Sequence, residues 1–408
     1  MKKILLSAFA CDPTKGSEPS YGWNWALGLA EKGMDVHCIT RDDNRQFIEL
    51  YPIPERLSFH YVKLPFGLEA LYTLSQPTMY LYYILWQWAA YKKAKVLNKN
   101  IDFNLVHHVT WGSVQLGSFM YKLNLPFIFG PAGGGQQSPV AFKKYFGNSW
   151  QIEQKRERVS RFFLKFNPAC KAMFNKATAI WVSNPDTGAL VKQNGSSTVH
   201  YTIDAALAPD FFPVNFVPKV CRPAELNLLW IGRLMPRKGV LLVVEVMKEL
   251  QQYPGITLTI VGDGEQKASL LESIEEKDLS KTVFWKGAVP FEDVKAFYAS
   301  HDIFFFTSLR DSGPAQLVEA MAFGMPVVTI NLHGQAIIVS NETGIRCACS
   351  TPQQAIKELA KAILSLYHEP KRITQMSEAA HAFAIKQTWE NKIQTIVDTC
   401  YDIQPALV

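Results

Sequence analysis

The chain has 408 residues, of which 48% are hydrophobic and 19% are charged, and its formal net charge is +6. This length suits roughly two or three domains, and the composition excludes a disordered chain. Seven scattered cysteines without a CxxC pair indicate reduced thiols in a cytoplasmic protein, which argues against a disulfide framework or a structural zinc site. The apolar run at residues 4–10 is too short for a signal peptide.

The first half of the chain predicts alternating strands and helices. Strands are expected at residues 3–9, 35–40, 58–64, 104–110, 126–129, 178–182 and 198–202. A helix is expected at residues 20–31, and Gly112-Ser113 predict the start of another. The loop after the first strand lacks GxGxxG, so we expect Gly16 to let the backbone approach a phosphate or a sugar closely.

Residues 70–91 contain no charged side chain and are rich in Tyr, Trp and Leu. Their length approaches that of a membrane span, but Gln76, Pro77 and Gln87 interrupt the apolar run. Three interpretations stay open: a buried helix, a helix at a membrane surface, and a transmembrane span. The density of aromatic side chains favours the first two.

Two further stretches of the first half have an unusual composition. Three glycines, at 133–135, follow a predicted strand and indicate a loop that moves or that lets another group come close. Residues 143–176 contain nine Lys or Arg and two Glu. Such a basic stretch suits phospholipid headgroups, phosphorylated substrates or nucleic acid, and a solvated helix face is an equally simple explanation.

The second half predicts another alternating series after a proline-rich linker. We expect a first domain at residues 1–206, a linker at 207–223, a second domain at 224–384, and a C-terminal helix at 385–408 that crosses back to the first domain. Strands are predicted at 226–231, 257–261, 283–285, 303–306, 327–330 and 345–347. Helices between them predict a parallel sheet covered on both faces.

Residues 311–326 carry the clearest chemical signal. Asp311 follows a predicted strand, at the end where open α/β sheets bind ligands. Pro314 suits the first turn of the next helix, whose unpaired N–H groups attract anions, and Glu319 lies on its second turn. Two acids beside an anion site indicate a ligand with hydroxyls and phosphates, such as a nucleotide sugar. The alternative is an N-cap at Asp311 and a solvated helix residue at Glu319.

A cationic loop follows the first strand of the second domain. It begins at Gly232 and contains Arg233, Arg237 and Lys238. Guanidinium and ammonium groups at a strand end are suited to hold a diphosphate and to stabilise it as it leaves. A solvated basic loop is the structural alternative.

These motifs together resemble the group 1 family of retaining glycosyltransferases. The fold this implies is α/β and GT-B, with two Rossmann-like, doubly wound parallel-sheet domains that face each other across a cleft. The likeness is strongest over residues 226–347. Its motifs are Gly232-Arg233-Leu234, Lys238-Gly239, Val261-Gly262-Asp263-Gly264, and Asp311 with Glu319 ahead of residues 320–328. The N-terminal Gly16-Ser17-Glu18-Pro19, His107-His108 and residues 133–135 are similar to a bacterial branch of the family.

The resemblance assigns roles to individual residues. It implies that Arg233 and Lys238 bind the donor diphosphate, that Asp311 contacts the donor sugar, and that His108, or less well His107, lies near the reacting carbon. A core histidine remains the alternative for His108. The implied donor-binding set comprises Gly16, Gly232, Arg233, Lys238, Ser312, Gly313, Pro314, Ala315, Gln316 and Glu319. The family usually has Glu where this chain has Asp311, and glycine or an aliphatic residue where it has Pro314.

The implied activity is transfer of a sugar from a UDP- or GDP-linked donor to a glycan or lipid-linked acceptor in bacterial surface polysaccharide synthesis, such as lipopolysaccharide or capsule. The chain lacks an Asp-x-Asp motif, so we expect Arg233 and Lys238 to replace a metal ion, and no cofactor. Expected partners are the donor, the acceptor and the cytoplasmic face of the inner membrane, with no nucleic acid. A nucleotide-sugar epimerase or hydrolase and a non-catalytic binding protein remain alternatives.

Overall fold

A computed structural model describes residues 1–16 and 18–402, which form two compact units. Ser17 of the N-terminal motif and the end of the predicted 385–408 helix lie outside the described residues. The first unit contains residues 1–135, 158–205 and the chain from 389 on, and the second contains 136–157 and 206–388. Residues 136–157 were predicted in the first domain. They belong to the second unit because Phe142, Tyr145 and Phe146 are buried in its core.

The first unit is built on a seven-stranded parallel sheet. Its strands are β1 (Lys3–Ser7), β2 (Asp35–Arg41), β3 (Leu57–Val62), β4 (Leu105–His108), β5 (Phe127–Ala132), β6 (Ala179–Val182) and β7 (Thr198–Tyr201). Their order is β3-β2-β1-β4-β5-β6-β7. The strand order reverses between β1 and β4, and ligands of doubly wound sheets bind at the carboxyl ends of such a pair.

The second unit is built on a six-stranded parallel sheet of the same design. Its strands are β8 (Leu226–Ile231), β9 (Ile256–Val261), β10 (Val283–Trp285), β11 (Ile303–Phe306), β12 (Val327–Ile330) and β13 (Gly344–Cys347). Their order is β10-β9-β8-β11-β12-β13, so the reversal falls between β8 and β11. Every residue of β11 and β12 is buried, as expected for strands covered on both faces.

Helices connect the strands. In chain order they are α1 (Glu18–Glu31), α2 (Arg45–Ile48), α3 (Leu71–Leu74), α4 (Gln76–Ile101), α5 (Ser149–Phe166), α6 (Pro168–Lys176), α7 (Pro185–Asn194), α8 (Val240–Glu249), α9 (Lys267–Glu276), α10 (Phe291–Ser300), α11 (Ala315–Ala322), α12 (Gln335–Ile338), α13 (Pro352–His368), α14 (Pro370–Ile385) and α15 (Trp389–Cys400). The helix predicted from Gly112-Ser113 does not form. Positive φ angles at Trp111 and Gly117 interrupt that segment, and Val114 N–H instead bonds the Gly133 carbonyl at 3.2 Å.

The apolar segment 70–91 forms α3 and the first part of α4. Tyr83 and Trp86 of α4 are fully buried, whereas Leu81 and Trp88 on its other side are 49% and 43% exposed. Over the described ranges, no helix has the length and apolar character needed to span a bilayer. The transmembrane interpretation is therefore wrong, and α4 packs one face on the core while presenting large apolar side chains to solvent.

Candidate active site

The predicted cationic loop and the predicted acidic loop meet in the second unit. They follow β8 and β11, the adjacent strands at which the sheet order reverses. Leu309 N–H donates to the Arg237 carbonyl at 2.8 Å, and Thr307 Oγ1 donates to the Gly239 carbonyl at 3.0 Å. The fold thus joins residues about 70 positions apart into one site at the carboxyl edge of the sheet.

A buried ion pair forms the centre of this site. The Lys238 ammonium donates to Asp311 Oδ2, and the two side chains are only 8% and 16% exposed. Arg237 Nη1 lies 3.8 Å from the same oxygen, and Ser308 Oγ donates to it at 3.2 Å. Burial alone would raise the pKa of Asp311, but the charges of Lys238 and Arg237 outweigh it and lower the pKa, so the carboxylate is ionised.

The site keeps an excess of positive charge. Burial lowers the pKa of the Lys238 ammonium, and the neighbouring Asp311 partly opposes that shift. Arg233 is exposed, and within the described part of the chain it has no ion-pair partner. The single carboxylate of Asp311 therefore balances only one of the three cations, which leaves a surface suited to a doubly charged anion.

Glycines hold the cationic loop in place. Gly239 has φ +70°, and an added Cβ would lie 2.4 Å from the Thr307 carbonyl oxygen. Gly262, at the end of β9, has φ +131°, and its added Cβ would lie 1.9 Å from the Gly232 carbonyl oxygen. These two glycines of the predicted motifs are thus required by close backbone packing under the loop.

The start of α11 lies beside the ion pair. Pro314 is the N-cap residue and the helix begins at Ala315, one residue later than predicted. The first N–H groups of a helix, here those of Ala315 and Gln316, have no acceptor within the helix and favour an anion. An added Cβ at Gly334 would lie 2.0 Å from the Ser312 carbonyl oxygen, so Gly334 allows close packing against the segment 312–313.

Glu319 is not a solvated helix residue. It is largely buried on α11, and Tyr298 Oη donates to its Oε2 at 2.8 Å. Burial raises the pKa of Glu319, and the hydrogen bond from Tyr298 works against that shift. Tyr298 therefore fixes the carboxyl orientation and occupies one of its two oxygens.

Two arginines to which the sequence analysis gave no individual role also shape the second unit. Arg237 belongs to the site through its contact with Asp311. Arg310 pairs with Glu153, with Nε 2.7 Å from Oε2, and Ser138 donates to the same oxygen at 2.8 Å. The cluster of charges around residue 310 was visible in the sequence, but its partner in the 136–157 segment was not.

Gly16 lies in the loop after β1, and this loop contacts the loop after β4. Ala10 N–H donates to Thr110 Oγ1 at 3.0 Å, which joins the loops after β1 and β4. Gly16 is exposed, and an added Cβ would meet no atom within 4 Å, so the fold itself does not require glycine there. Glu18, which the N-terminal motif includes without a role of its own, accepts a hydrogen bond from Trp111 N–H, and burial raises its pKa to about 7.

His108, for which a place near the reacting carbon and a core position were both open, is packed inside the first unit. It is fully buried, with Nδ1 3.0 Å from Ser7 Oγ and Nε2 3.3 Å from Tyr83 Oη. Burial lowers its pKa to about 3. His107 is equally buried and contacts Tyr401 Oη and the Gly130 carbonyl, each at 2.8 Å. Both are core histidines, because the end of β4 lies inside the packed sheet.

The glycine-rich loop also serves packing. An added Cβ at Gly134 would lie 2.2 Å from Gln115 Oε1, and one at Gly135 would lie 2.5 Å from Thr187 Cα. Gly135 N–H donates to Thr187 Oγ1 at 2.9 Å. The groups that approach these two glycines closely are therefore parts of the first unit itself.

Comparisons with known proteins agree with this architecture. A family model described as glycosyl transferases group 1 matches residues 221–383. The chain is 30% identical over 391 residues to an uncharacterized glycosyltransferase of Haemophilus influenzae, covering 93% of this chain and 94% of that protein. It is 30% identical over 183 residues to the amylovoran biosynthesis glycosyltransferase AmsK of Erwinia amylovora, covering 43% and 44%. The solved structure of Anabaena HepE in complex with UDP covers 99% of this chain and 100% of its own, with a TM-score of 0.62 and 17% identity.

Proposed function

The chain belongs to the glycosyl transferases group 1 family and is a glycosyltransferase with the GT-B fold, and we propose that it transfers a sugar, with retention and without a metal ion, from a nucleotide-diphosphate sugar. The observation that carries this proposal is the cation cluster of Arg233, Arg237 and Lys238 beside Asp311 and the start of α11. HepE is a structural neighbour that binds UDP. A diphosphate supplies the two negative charges that the cluster leaves unbalanced.

The proposed chemistry rests on stabilising the leaving group. Breaking the bond between the anomeric carbon and the phosphate separates a cationic sugar from an anionic diphosphate. Arg233, Lys238 and the backbone N–H groups of Gly313, Ala315 and Gln316 would stabilise that anion most strongly as its charge develops. Glu319, oriented by Tyr298, would accept hydrogen bonds from the ribose hydroxyls.

Asp311 has two proposed tasks. Without a donor it neutralises Lys238, which keeps a buried ammonium group paired. When phosphate oxygens replace it at Lys238, its carboxylate becomes free to accept hydrogen bonds from hydroxyls of the donor sugar.

Retention follows in this proposal from attack on the same face that the diphosphate leaves. The departing phosphate oxygen would take the proton of the acceptor hydroxyl. His108 has no part in this step, because its ring is buried and both nitrogens have partners. We place the nucleotide site in the second unit and the acceptor in the first.

The acceptor we propose is a glycan or a lipid-linked glycan of bacterial surface polysaccharide, reached from the cytoplasmic face of the membrane. AmsK, named for amylovoran biosynthesis, is a relative that supports this class. The seven free thiols suit a reducing compartment. Exposed Leu81 and Trp88 of α4 and the basic α5 suit contact with a membrane surface.

The test combines donor, acceptor and product analysis. The protein is incubated without metal with a panel of radiolabelled UDP- and GDP-sugars and bacterial lipid extract, and the anomeric configuration of any product is read by NMR. Transfer with retention in the presence of a chelator supports the proposal. Released free sugar without transfer would indicate a hydrolase, an altered nucleotide sugar would indicate an epimerase, and inversion or a metal requirement would contradict the mechanism.

A further inference from the structure

An apolar cavity of about 310 Å³ lies in the first unit. Phe162, Phe163 and Phe166 of α5 form one wall, and Ile84 of α4 forms part of another. Its volume lies at the lower end of the range for small-molecule sites, ~300–1,000 Å³. One water molecule takes up ~30 Å³ in the liquid, so the cavity has the volume of about ten waters and room for a segment of hydrocarbon chain.

The rim of this cavity exposes aromatic side chains. Phe162 and Phe166 are 58% and 59% exposed, and their rings lie 4.9 Å apart. They continue the stripe of α5 begun by Ile152 and Val159, which are 64% and 39% exposed. Spacings of three, four and seven residues put these side chains on one face of the helix, where a soluble surface would be polar.

The elements around the cavity are strongly basic. Residues 76–101, 111–126 and 158–177 together contain ten Lys or Arg and no Asp or Glu, and the earlier part of α5 adds Lys155 and Arg156 as well as Glu153 and Glu157. Lys92 and Lys122 lie 5.7 and 5.8 Å from the Trp88 ring, and the Trp88 ring lies 5.8 Å from that of Phe119, which lines the cavity. Cations around an apolar opening match a ligand that has a hydrocarbon chain and an anionic head.

The floor of the cavity leads to the ligand edge of the first sheet. Leu116 and Gly117 belong to the segment after β4 and line the cavity. Gln87, another lining residue, donates to Tyr83 Oη at 2.9 Å, and Tyr83 Oη lies 3.3 Å from the ring of His108, the last residue of β4. Buried side chains thus connect the cavity lining to the last residue of β4, while Lys92 and Lys122, beside Trp88 at the rim, face the place of an anionic head.

We infer that this cavity binds the hydrocarbon chain of a phosphate-linked lipid acceptor, with the surrounding Lys and Arg side chains holding its phosphate. The inference rests on the proposed function, since it names the acceptor class of that reaction. The apolar lining selects the chain, and the net basic surroundings select an anionic head over a neutral or cationic one.

The experiment measures binding of monomeric alkyl phosphates to the full chain by calorimetry, below their micelle concentrations. Affinity should rise by up to about fourfold per added methylene from butyl to decyl phosphate and then level off as the cavity fills. Decyltrimethylammonium should bind at least tenfold more weakly than decyl phosphate. The double variant Phe162→Asp/Phe166→Asp should lose at least tenfold in affinity, whereas Leu271→Asp, an equally drastic change at a 42% exposed position of the second unit, should change nothing.

Several outcomes would overturn the inference. They are no binding of the monomers, equal binding of the ammonium analogue, and affinity unaffected by the double variant. Binding of anionic vesicles without binding of monomers would show a membrane anchor only. If the double variant does not fold, Ile84→Trp, which fills the cavity, takes its place. Thermal stabilisation by the UDP- and GDP-sugar panel is measured on the same samples. If the nucleotide sugars stabilise the protein but the alkyl phosphates do not bind, this inference is refuted and the proposed function is not.

Discussion

The pair of Lys238 and Asp311 gives the sharpest prediction, because the two groups depend on each other. Asp311→Asn leaves an ammonium group that is only 8% exposed without its carboxylate. Removing one partner of a buried pair costs ~3–5 kcal/mol, and we expect this variant near the upper value. Lys238→Met should cost less, about 2–3 kcal/mol, because Arg237 and Ser308 still contact Asp311.

The double variant Lys238→Met/Asp311→Asn completes the cycle. It removes both charges at once, and neutral side chains of similar size are tolerated well in place of a buried pair. Its unfolding free energy in urea titrations should therefore exceed the additive value by ~2 kcal/mol or more. Additivity within ~0.5 kcal/mol would show that the two side chains are not coupled and would refute this reasoning.

Ligand binding by the same variants separates the two tasks of Asp311. UDP alone should bind Asp311→Asn up to ~10-fold more tightly, a gain of about 1.4 kcal/mol, because the carboxylate no longer competes for Lys238. A UDP- or GDP-sugar should bind more tightly than its free nucleotide, and this difference should become smaller in Asp311→Asn, because the sugar hydroxyls lose the carboxylate that accepts their hydrogen bonds. Lys238→Met should bind neither ligand well. Weaker binding of the free nucleotide to Asp311→Asn would contradict the exchange of partners.

Three further predictions concern the glycines and the buried titratable groups. In urea titrations, Gly239→Ala should lower the unfolding free energy by ~2–3 kcal/mol, because φ at Gly239 is +70° and the added Cβ lies 2.4 Å from a carbonyl oxygen. The control Gly16→Ala should change it by less than ~0.5 kcal/mol, because its added Cβ meets no atom within 4 Å. The pKa of Glu18 is about 7 in the native state and ~4.3 in the unfolded state, so wild type loses stability as the pH rises from the lower value to the higher. The unfolding free energy of Glu18→Gln relative to wild type should therefore grow by ~2 kcal/mol from pH 5 to pH 8. A difference that does not change with pH would show that Glu18 is not protonated at pH 5. His108→Gln should cost ~1–3 kcal/mol of stability but change kcat of the folded enzyme less than tenfold, and a hundredfold loss of kcat would restore its catalytic assignment.

The strands of the second unit were the easiest part to predict. Bounds such as Leu226–Ile231 and Ile303–Phe306 agree with the sequence analysis, because a parallel strand covered on both faces is a continuous apolar run between polar loops. The first unit was harder. Around Gly112 the backbone has positive φ angles and pairs with a segment distant in the chain, and neither feature produces a periodic pattern of apolar residues in the sequence.

The chemistry of the site was only partly visible in the sequence. Strand ends and glycines indicated where Lys238 and Asp311 would lie, but their pairing across 73 positions depends on the neighbouring places of β8 and β11 in the sheet. For His108 the sequence supplied the residue type and not its burial. Residues 136–157 were assigned to the wrong unit because their aromatic side chains match an apolar core anywhere in the chain.

The most direct test of the donor site is a thermal-shift panel of UDP-, GDP- and ADP-sugars without metal, on wild type, Arg233→Ala and the control Arg222→Ala. Arg222 also belongs to the second unit, and its side chain is 83% exposed. A ligand at ~100 times its Kd stabilises the fold by about 2.7 kcal/mol. We predict a shift with one nucleotide class for wild type and Arg222→Ala, and its loss in Arg233→Ala. No shift with any donor, or a shift that Arg233→Ala retains in full, would contradict a nucleotide-sugar site at this loop.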